Sequence, residues 1–275
     1  DSEDHEPSWY RHFDIVSQAV VHTKFGQDVV KKTVPILDTR IIYLGVDTDV
    51  FKKIFPTRLD AKKDVFRNTE SLVNTFIILN ANRNQPRKRL DITLRAFKIF
   101  AKDKDDVRLY MHCGAQDAHL DVGRFALKLG IDNKLILTNL NRGVQSLPKE
   151  SLNAIYNACD VGINTGLGEG WGLTSTEHGA TGAPQIVPAH SALKEIYKDC
   201  GVLVKTTMPF TLETTTTGYL VHEKDVAKAM NLLYNNREYY NELSEKTYKK
   251  FTSPAYSWQE ITKVWYNLFM EVLTR

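Results

Sequence analysis

The stretch FIILNANRNQPRKRLDITLRAF, residues 76–97, changes its period partway along. Phe76 to Leu79 is a short unbroken apolar run, the pattern of a strand buried on both faces. From Leu90 onward Leu90, Leu94, Phe97 and Ala101 recur at spacings of three and four, one stripe of an amphipathic helix. Between them lies a polar loop that carries Pro86 and four cations, Arg83, Arg87, Lys88 and Arg89. A strand that feeds a helix through a short loop is half of a βαβ unit, which predicts a parallel, Rossmann-like sheet with helices on both faces. Ligands of such sheets bind beyond the carboxyl ends of the strands, so chemistry is expected in the loops that follow strands.

The alternation continues on either side. VRLYMHC (107–113), KLILT (134–138), DVGIN (160–164), QIV (185–187) and VLV (202–204) read as further strands, with helices over 122–129, 151–159 and 173–180. Upstream, 14–26 reads as a strand and turn and 40–51 as a strand ending at Gly45, and the first fifty residues are assigned to a different sheet. Downstream, 225–275 reads as two or three helices, the last carrying Trp258, Trp265 and Phe269. The run TLETTTTGY (211–219) reads as a low-complexity loop and a mobile hairpin tip.

Composition bounds what the chain can be. At 275 residues, 42% hydrophobic and 25% charged, it belongs to the ordinary globular class. No segment approaches the ~18 uninterrupted apolar residues of a membrane-spanning helix. Cys113, Cys159 and Cys200 are odd in number, widely spaced and free of any C-x-x-C pair, which argues against a disulfide framework and a zinc site and fits a reducing compartment. A net charge of +3 is too mild to imply nucleic acid by itself. The acidic start DSEDHEPSWY has neither the basic nor the apolar part of a secretory signal, so a cytoplasmic location is expected.

Two loops carry the chemistry. GEGWGLTSTEHGATGAP (168–184) follows the strand DVGIN and opens a helix, so the amides of Gly170, Trp171, Gly172 and Leu173 lack intrahelical partners and form an anion cradle. The loop is neither a P-loop nor G-x-G-x-x-G, and a plain glycine-rich turn is the bland alternative. A carboxylate in an anion cradle is repelled by an anion, so Glu169 is aimed at hydroxyls or a developing cation. Glu177, one turn into the helix, can accept from two hydroxyls at once, as a ribose diol would offer. In the loop 82–91, Arg83 and Lys88 lie five positions apart around Pro86 and can both face one diphosphate, Arg as a fork and Lys as a point charge. A basic surface loop or a nucleic-acid patch is the alternative there. The histidines show no metal-ligand spacing, and no Ser-His-Asp arrangement with a nucleophile elbow is visible.

The stretch 163–184, with E-G-W-G-L, seven residues between the glutamates and G-A-P after the helix, resembles the donor-site signature of retaining family-4 glycosyltransferases of the GT-B fold. Arg83, Lys88, Pro86 and Asp91, the run GVDTDVF (45–51), YNACDV (156–161) and Glu195 match the same pattern. Asn82, His178 and Leu44 stand where that family usually has glycine, alanine, and Asn or His. The form NRNxxRKRLD and the strand YNACDVGIN are most similar to glycosyltransferases of large DNA viruses of algae.

The resemblance implies sugar transfer from a GDP- or UDP-sugar to a glycan, glycoprotein or other hydroxyl acceptor with retention of configuration, and no cofactor or metal. Arg83 and Lys88 would hold the diphosphate, and Glu169 the sugar hydroxyls. The 170–173 amides would line sugar and phosphate, Glu177 would bind the ribose, and Asn139 to Asn141 would lie near the base. It divides the chain into the end of an acceptor-side domain with its linker (1–50), a donor-binding domain (51–256) and a crossover helix (257–275). Only the end of the acceptor-side domain is expected in this chain, and that domain is where any peripheral membrane contact would arise. A non-catalytic sugar-nucleotide-binding module is the alternative, and nucleic-acid binding through 83–89 a further one.

Overall fold

The computed structural model describes residues 1–138, 143 and 146–275. Its centre is a six-stranded parallel sheet whose inner strands are buried on both faces. In chain order the strands are β3 (Phe76–Asn80), β4 (Val107–Met111), β5 (Leu135–Leu137), β6 (Val161–Ile163), β7 (Gln185–Pro188) and β8 (Val202–Val204). In space they run β5-β4-β3-β6-β7-β8. Two shorter strands precede them, β1 (Ala19–Val21) and β2 (Thr39–Ile41), and a hairpin follows them.

Alternation along β3 shows why both faces are covered, since successive side chains of a strand point opposite ways. Phe76 and Ile78 enter one core with Leu90, Leu94, Phe97 and Phe100 of α3 (Leu90–Phe100) and Met230 and Leu233 of α8 (Glu223–Asn235). Ile77 and Leu79 enter the other with Ile155 and Tyr156 of α5 (Lys149–Ala158) and Ala180 of α6 (Leu173–Ala180). The remaining helices on this sheet are α2 (Arg58–Val65), α4 (Val122–Leu129), α7 (Ser191–Tyr197) and α9 (Arg237–Phe251). The α/β architecture expected from the sequence is the one observed.

The first fifty residues form a separate two-stranded parallel sheet, β1 pairing with β2 in the register Ala19↔Thr39. The strand and turn read over 14–26 need one correction. A helix, α1 (Lys24–Thr33), begins there because the Thr23 hydroxyl accepts the Gly26 N–H at 3.1 Å, an N-cap that the apolar pattern alone does not reveal. The last helix, α10 (Trp258–Leu273), lies on this unit, with Ile261 and Leu268 packed on Ile42 and Arg40 bridged to Glu271 at 2.9 Å. The low-complexity run is part of an antiparallel hairpin, β9 (Thr206–Thr211) and β10 (Thr217–Val221), which touches the loop after β6 where the Tyr219 N–H donates to the Leu167 carbonyl at 2.8 Å. Among the described residues no helix is long and apolar enough to cross a membrane.

Candidate donor site at the strand switch point

Neighbouring strands β3 and β6 send their helices to opposite faces, α3 to one core and α6 to the other. The loops that follow them part and leave a crevice, as a doubly wound sheet requires at its switch point. The cationic loop 81–89 and the glycine-rich loop 164–172 are those two loops.

A buried polar network ties them. The Asn80 amide donates to Thr93 Oγ1 at 2.9 Å, and Thr93 Oγ1 shares a hydrogen bond with Thr165 Oγ1 at 2.8 Å. Thr165 in turn donates to the Arg89 carbonyl at 2.9 Å, and the Leu167 N–H donates to the Arg87 carbonyl at 2.8 Å. Asn80 Oδ1 accepts from the Asn82 N–H and from its side-chain amide, both at 3.0 Å. Asn164 Nδ2 donates to Glu169 Oε1 at 2.9 Å, while Asn164 Oδ1 accepts the Gly166 N–H at 2.8 Å. Buried groups so fully satisfied hold one geometry.

This network aims Glu169 at Lys88. The Lys88 ammonium pairs with Glu169 Oε1, and the two side chains keep only 11% and 7% of their exposure. Burial lowers the Lys88 pKa, against which Glu169 works in the opposite direction. Arg87 Nη1 lies 3.7 Å from Glu169 Oε2 and 3.4 Å from the Asp1 carboxylate. The Asp1 carbonyl oxygen sits so near Gly168 that an added Cβ would fall 1.7 Å from it, so only glycine admits residues 1–3 against this turn.

Arg83 turns to the neighbouring loop after β4 and donates through Nε to Asp117 Oδ2 at 2.9 Å. It does not touch the Lys88–Glu169 pair. Glu177 stands on α6 and accepts from the Tyr156 hydroxyl at 3.4 Å, near Lys149 and Asp47. Burial pushes its pKa up to about 7. The structure thus brings Lys88 and Glu169 into contact and leaves Arg83 and Glu177 in separate pairings around them. Gly170 is exposed, Leu173 also faces solvent, and Gly172 takes φ 96° at the cap of α6, with Leu193 Cδ2 2.7 Å from where a Cβ would stand. The Trp171 side chain is buried between Tyr43 and Tyr256, so only its backbone faces the loop. Asn139 and Asn141 lie outside the described residues.

Sequence reading did not single out Asn80, Thr93, Asn164, Thr165 or Ser191. Asn80 and Asn164 had a readable signal, a polar amide at the carboxyl end of each of two apolar runs. Ser191 had none. It takes φ 53°, unusual for a residue with a Cβ, and its hydroxyl accepts the Glu169 N–H at 2.9 Å. His178 and Asn82 prove to be interior residues. His178 is stacked on Tyr156 at 5.1 Å with Nε2 3.3 Å from the Cys159 carbonyl, and burial drives its pKa down to about 3.

The model of a family described as Glycosyl transferases group 1 matches residues 61–250. No curated protein matches the chain. Among solved structures, sucrose-phosphate synthase from Thermosynechococcus elongatus superposes with a TM-score of 0.73 at 16% identity, covering 93% of this chain and 58% of that one. HepE from Anabaena, in complex with UDP and glucose, superposes with a TM-score of 0.73 at 14% identity, covering 94% and 64%. The C-terminal domain of a glycosyl transferase group 1 family protein from Francisella tularensis superposes at 0.60 and 18% identity, covering 76% of this chain and 98% of that domain. The chain therefore spans 58% and 64% of the first two proteins, and at these identities the likeness is one of fold.

Proposed function

The chain belongs to the group 1 glycosyl transferases, and from that premise we propose that it binds a nucleoside diphosphate sugar, a UDP-sugar first among the candidates, and transfers the sugar with retention of configuration to a hydroxyl acceptor. The observation that carries this reading is the buried Lys88–Glu169 pair in the crevice between β3 and β6. In the complex the diphosphate takes over Lys88 and Arg83, releasing Glu169 and Asp117. Glu169 then accepts hydroxyls of the sugar ring, and the ribose lies against Glu177. The loop amides of 170–173 line sugar and phosphate, where fixed dipoles stabilise charge without reorganising.

In the transfer, the bond from the anomeric carbon to the diphosphate oxygen breaks and a bond to the acceptor oxygen forms on the same face. The acceptor proton passes to the departing phosphate, whose charge Arg83 and Lys88 hold. The diphosphate is bound by these protein cations in place of a divalent metal. The acceptor is a glycan or glycoprotein hydroxyl.

A second reading is donor binding without transfer, since every residue assigned above contacts the donor and none the acceptor. Calorimetric titration with UDP, GDP and ADP tests the common part, and saturable binding of at least one is expected. Absence of binding by all of them would remove both readings. Glycan products, with their anomeric configuration read by NMR, separate the first reading from the second.

A further inference from the structure

His190 ends the connection from β7 to α7, beside the Glu169 turn. Two hydrogen bonds join the segments: Ser191 Oγ accepts the Glu169 N–H at 2.9 Å, and the Ala192 N–H donates to the Glu169 carbonyl at 3.3 Å. The His190 side chain keeps 9% of its exposure. Its ring packs edge-on against Phe25 at 5.2 Å between centroids and lies 4.5 Å from the Tyr219 ring.

Inside that box Nε2 is buried and meets no hydrogen-bond partner among the described residues. The Glu3 carboxylate lies near the ring, but its Oε1 stands 3.9 Å from Nδ1, beyond hydrogen-bond range. Buried polar atoms are nearly always satisfied, so an orphaned imidazole nitrogen next to a ligand-binding turn calls for a partner that the free protein does not supply.

Resting on the donor reading above, we propose that His190 is a sugar-contacting residue, its free ring nitrogen exchanging a hydrogen bond with a hydroxyl of the hexose that Glu169 grips. Burial drives the His190 pKa down to about 4, so the ring is neutral near pH 7. A neutral imidazole offers one N–H and one lone pair, which suits a hydroxyl, and it gives a diphosphate no charge to pair with. The contact therefore discriminates sugar nucleotide from nucleotide.

The test uses His190→Phe, which keeps the ring between Phe25 and Tyr219 but removes both nitrogens, and His190→Gln, which restores an amide at similar reach. Calorimetry at pH 7.5 compares UDP with whichever of UDP-glucose, UDP-galactose and UDP-N-acetylglucosamine the wild type binds most tightly. His190→Phe is expected to weaken the sugar nucleotide about tenfold while UDP stays within about twofold, with His190→Gln in between. The Phe variant should also melt higher, because a buried unpaired polar atom is gone. A sugar nucleotide to UDP affinity ratio unchanged in His190→Phe, or equal losses for both ligands, would overturn the inference while the donor reading stands. If the wild type takes GDP or ADP in place of UDP, the same comparison is made with that nucleotide and its sugars; failure to bind any of the three nucleotides or their sugars would instead strike the donor reading.

Discussion

Replacing Lys88 by Met removes the cation of the buried pair and keeps most of its apolar stem. At contact, an ion pair near a protein surface is worth about 4 kcal/mol at an effective dielectric of ~20 before desolvation. Losing one partner of a buried pair typically costs about 3–5 kcal/mol, chiefly because the other charge is stranded. Glu169 would not be wholly stranded, since the Asn164 amide still donates to it at 2.9 Å and Arg87 Nη1 lies 3.7 Å away. The expected loss is therefore about 2–3 kcal/mol, below the usual range. Glu169→Gln should cost less than Lys88→Met, because burial lowers the Lys88 pKa and a stranded amine can relieve its charge by shedding the proton.

The double variant strands neither charge. It should lie within about 1 kcal/mol of wild type, which makes the two substitutions non-additive by about 2 kcal/mol. Urea unfolding followed by tryptophan fluorescence reads the four stabilities, and thermal melts should track them at about 2–4 °C per kcal/mol for a chain of this size. A loss below about 0.5 kcal/mol in Lys88→Met, or additivity of the two single changes, would refute the claim that this pair is desolvated and mutually dependent.

Glu177 carries a pH prediction. Its folded pKa of about 7 lies above the ordinary 4.5, so the folded state holds the proton more tightly than the unfolded chain. The stabilising contribution is complete below the ordinary value and is lost as pH rises through 7, up to about 3 kcal/mol in all. Melting wild type and Glu177→Gln from pH 5 to pH 8.5, we expect the gap to widen in favour of Gln toward the alkaline end; a constant gap would contradict it. If the ribose diol needs the carboxylate, affinity for the UDP-sugar, whose diphosphate does not titrate in this window, should rise more with pH in the wild type than in Glu177→Gln. Arg83→Ala should weaken UDP about tenfold and uridine hardly at all, while Asp117→Asn, which frees Arg83, should tighten UDP a few-fold. Equal losses for UDP and uridine would take Arg83 off the phosphate.

The inner strands of the main sheet were legible because they are buried on both faces, and a doubly buried strand has few ways to be written. FIIL and VRLYM could scarcely be anything else once the helical stripe of Leu90, Leu94 and Phe97 follows. Elements held by a cap or by partners distant in sequence were harder to see. Helix α1 depends on Thr23 and on the Glu195 carboxylate, which accepts the N–H groups of Lys24 and Phe25 at 3.1 Å from a helix more than 160 residues away. Helix α2 has little amphipathic pattern of its own. It is fixed by buried Ala61 and by Lys62, whose ammonium bonds Asp160 at 2.6 Å and the Thr75 carbonyl at 2.6 Å.

The site divides along the same line. That loops 81–89 and 164–172 would be neighbours followed from the doubly wound order, in which the strands before them flank the switch point. Which side chains would meet across the gap did not follow. Lys88 rather than Arg83 reaches Glu169, because Pro86 starts a tight turn that runs through Lys88 to Arg89 at φ 49°, whereas Arg83 leaves β3 early enough to find Asp117. The pairing is settled by a local turn, left-handed at Arg89, that no periodicity encodes. For the same reason His190 is silent in the sequence: an imidazole becomes informative only when the fold buries one of its nitrogens among neighbours that offer it no partner.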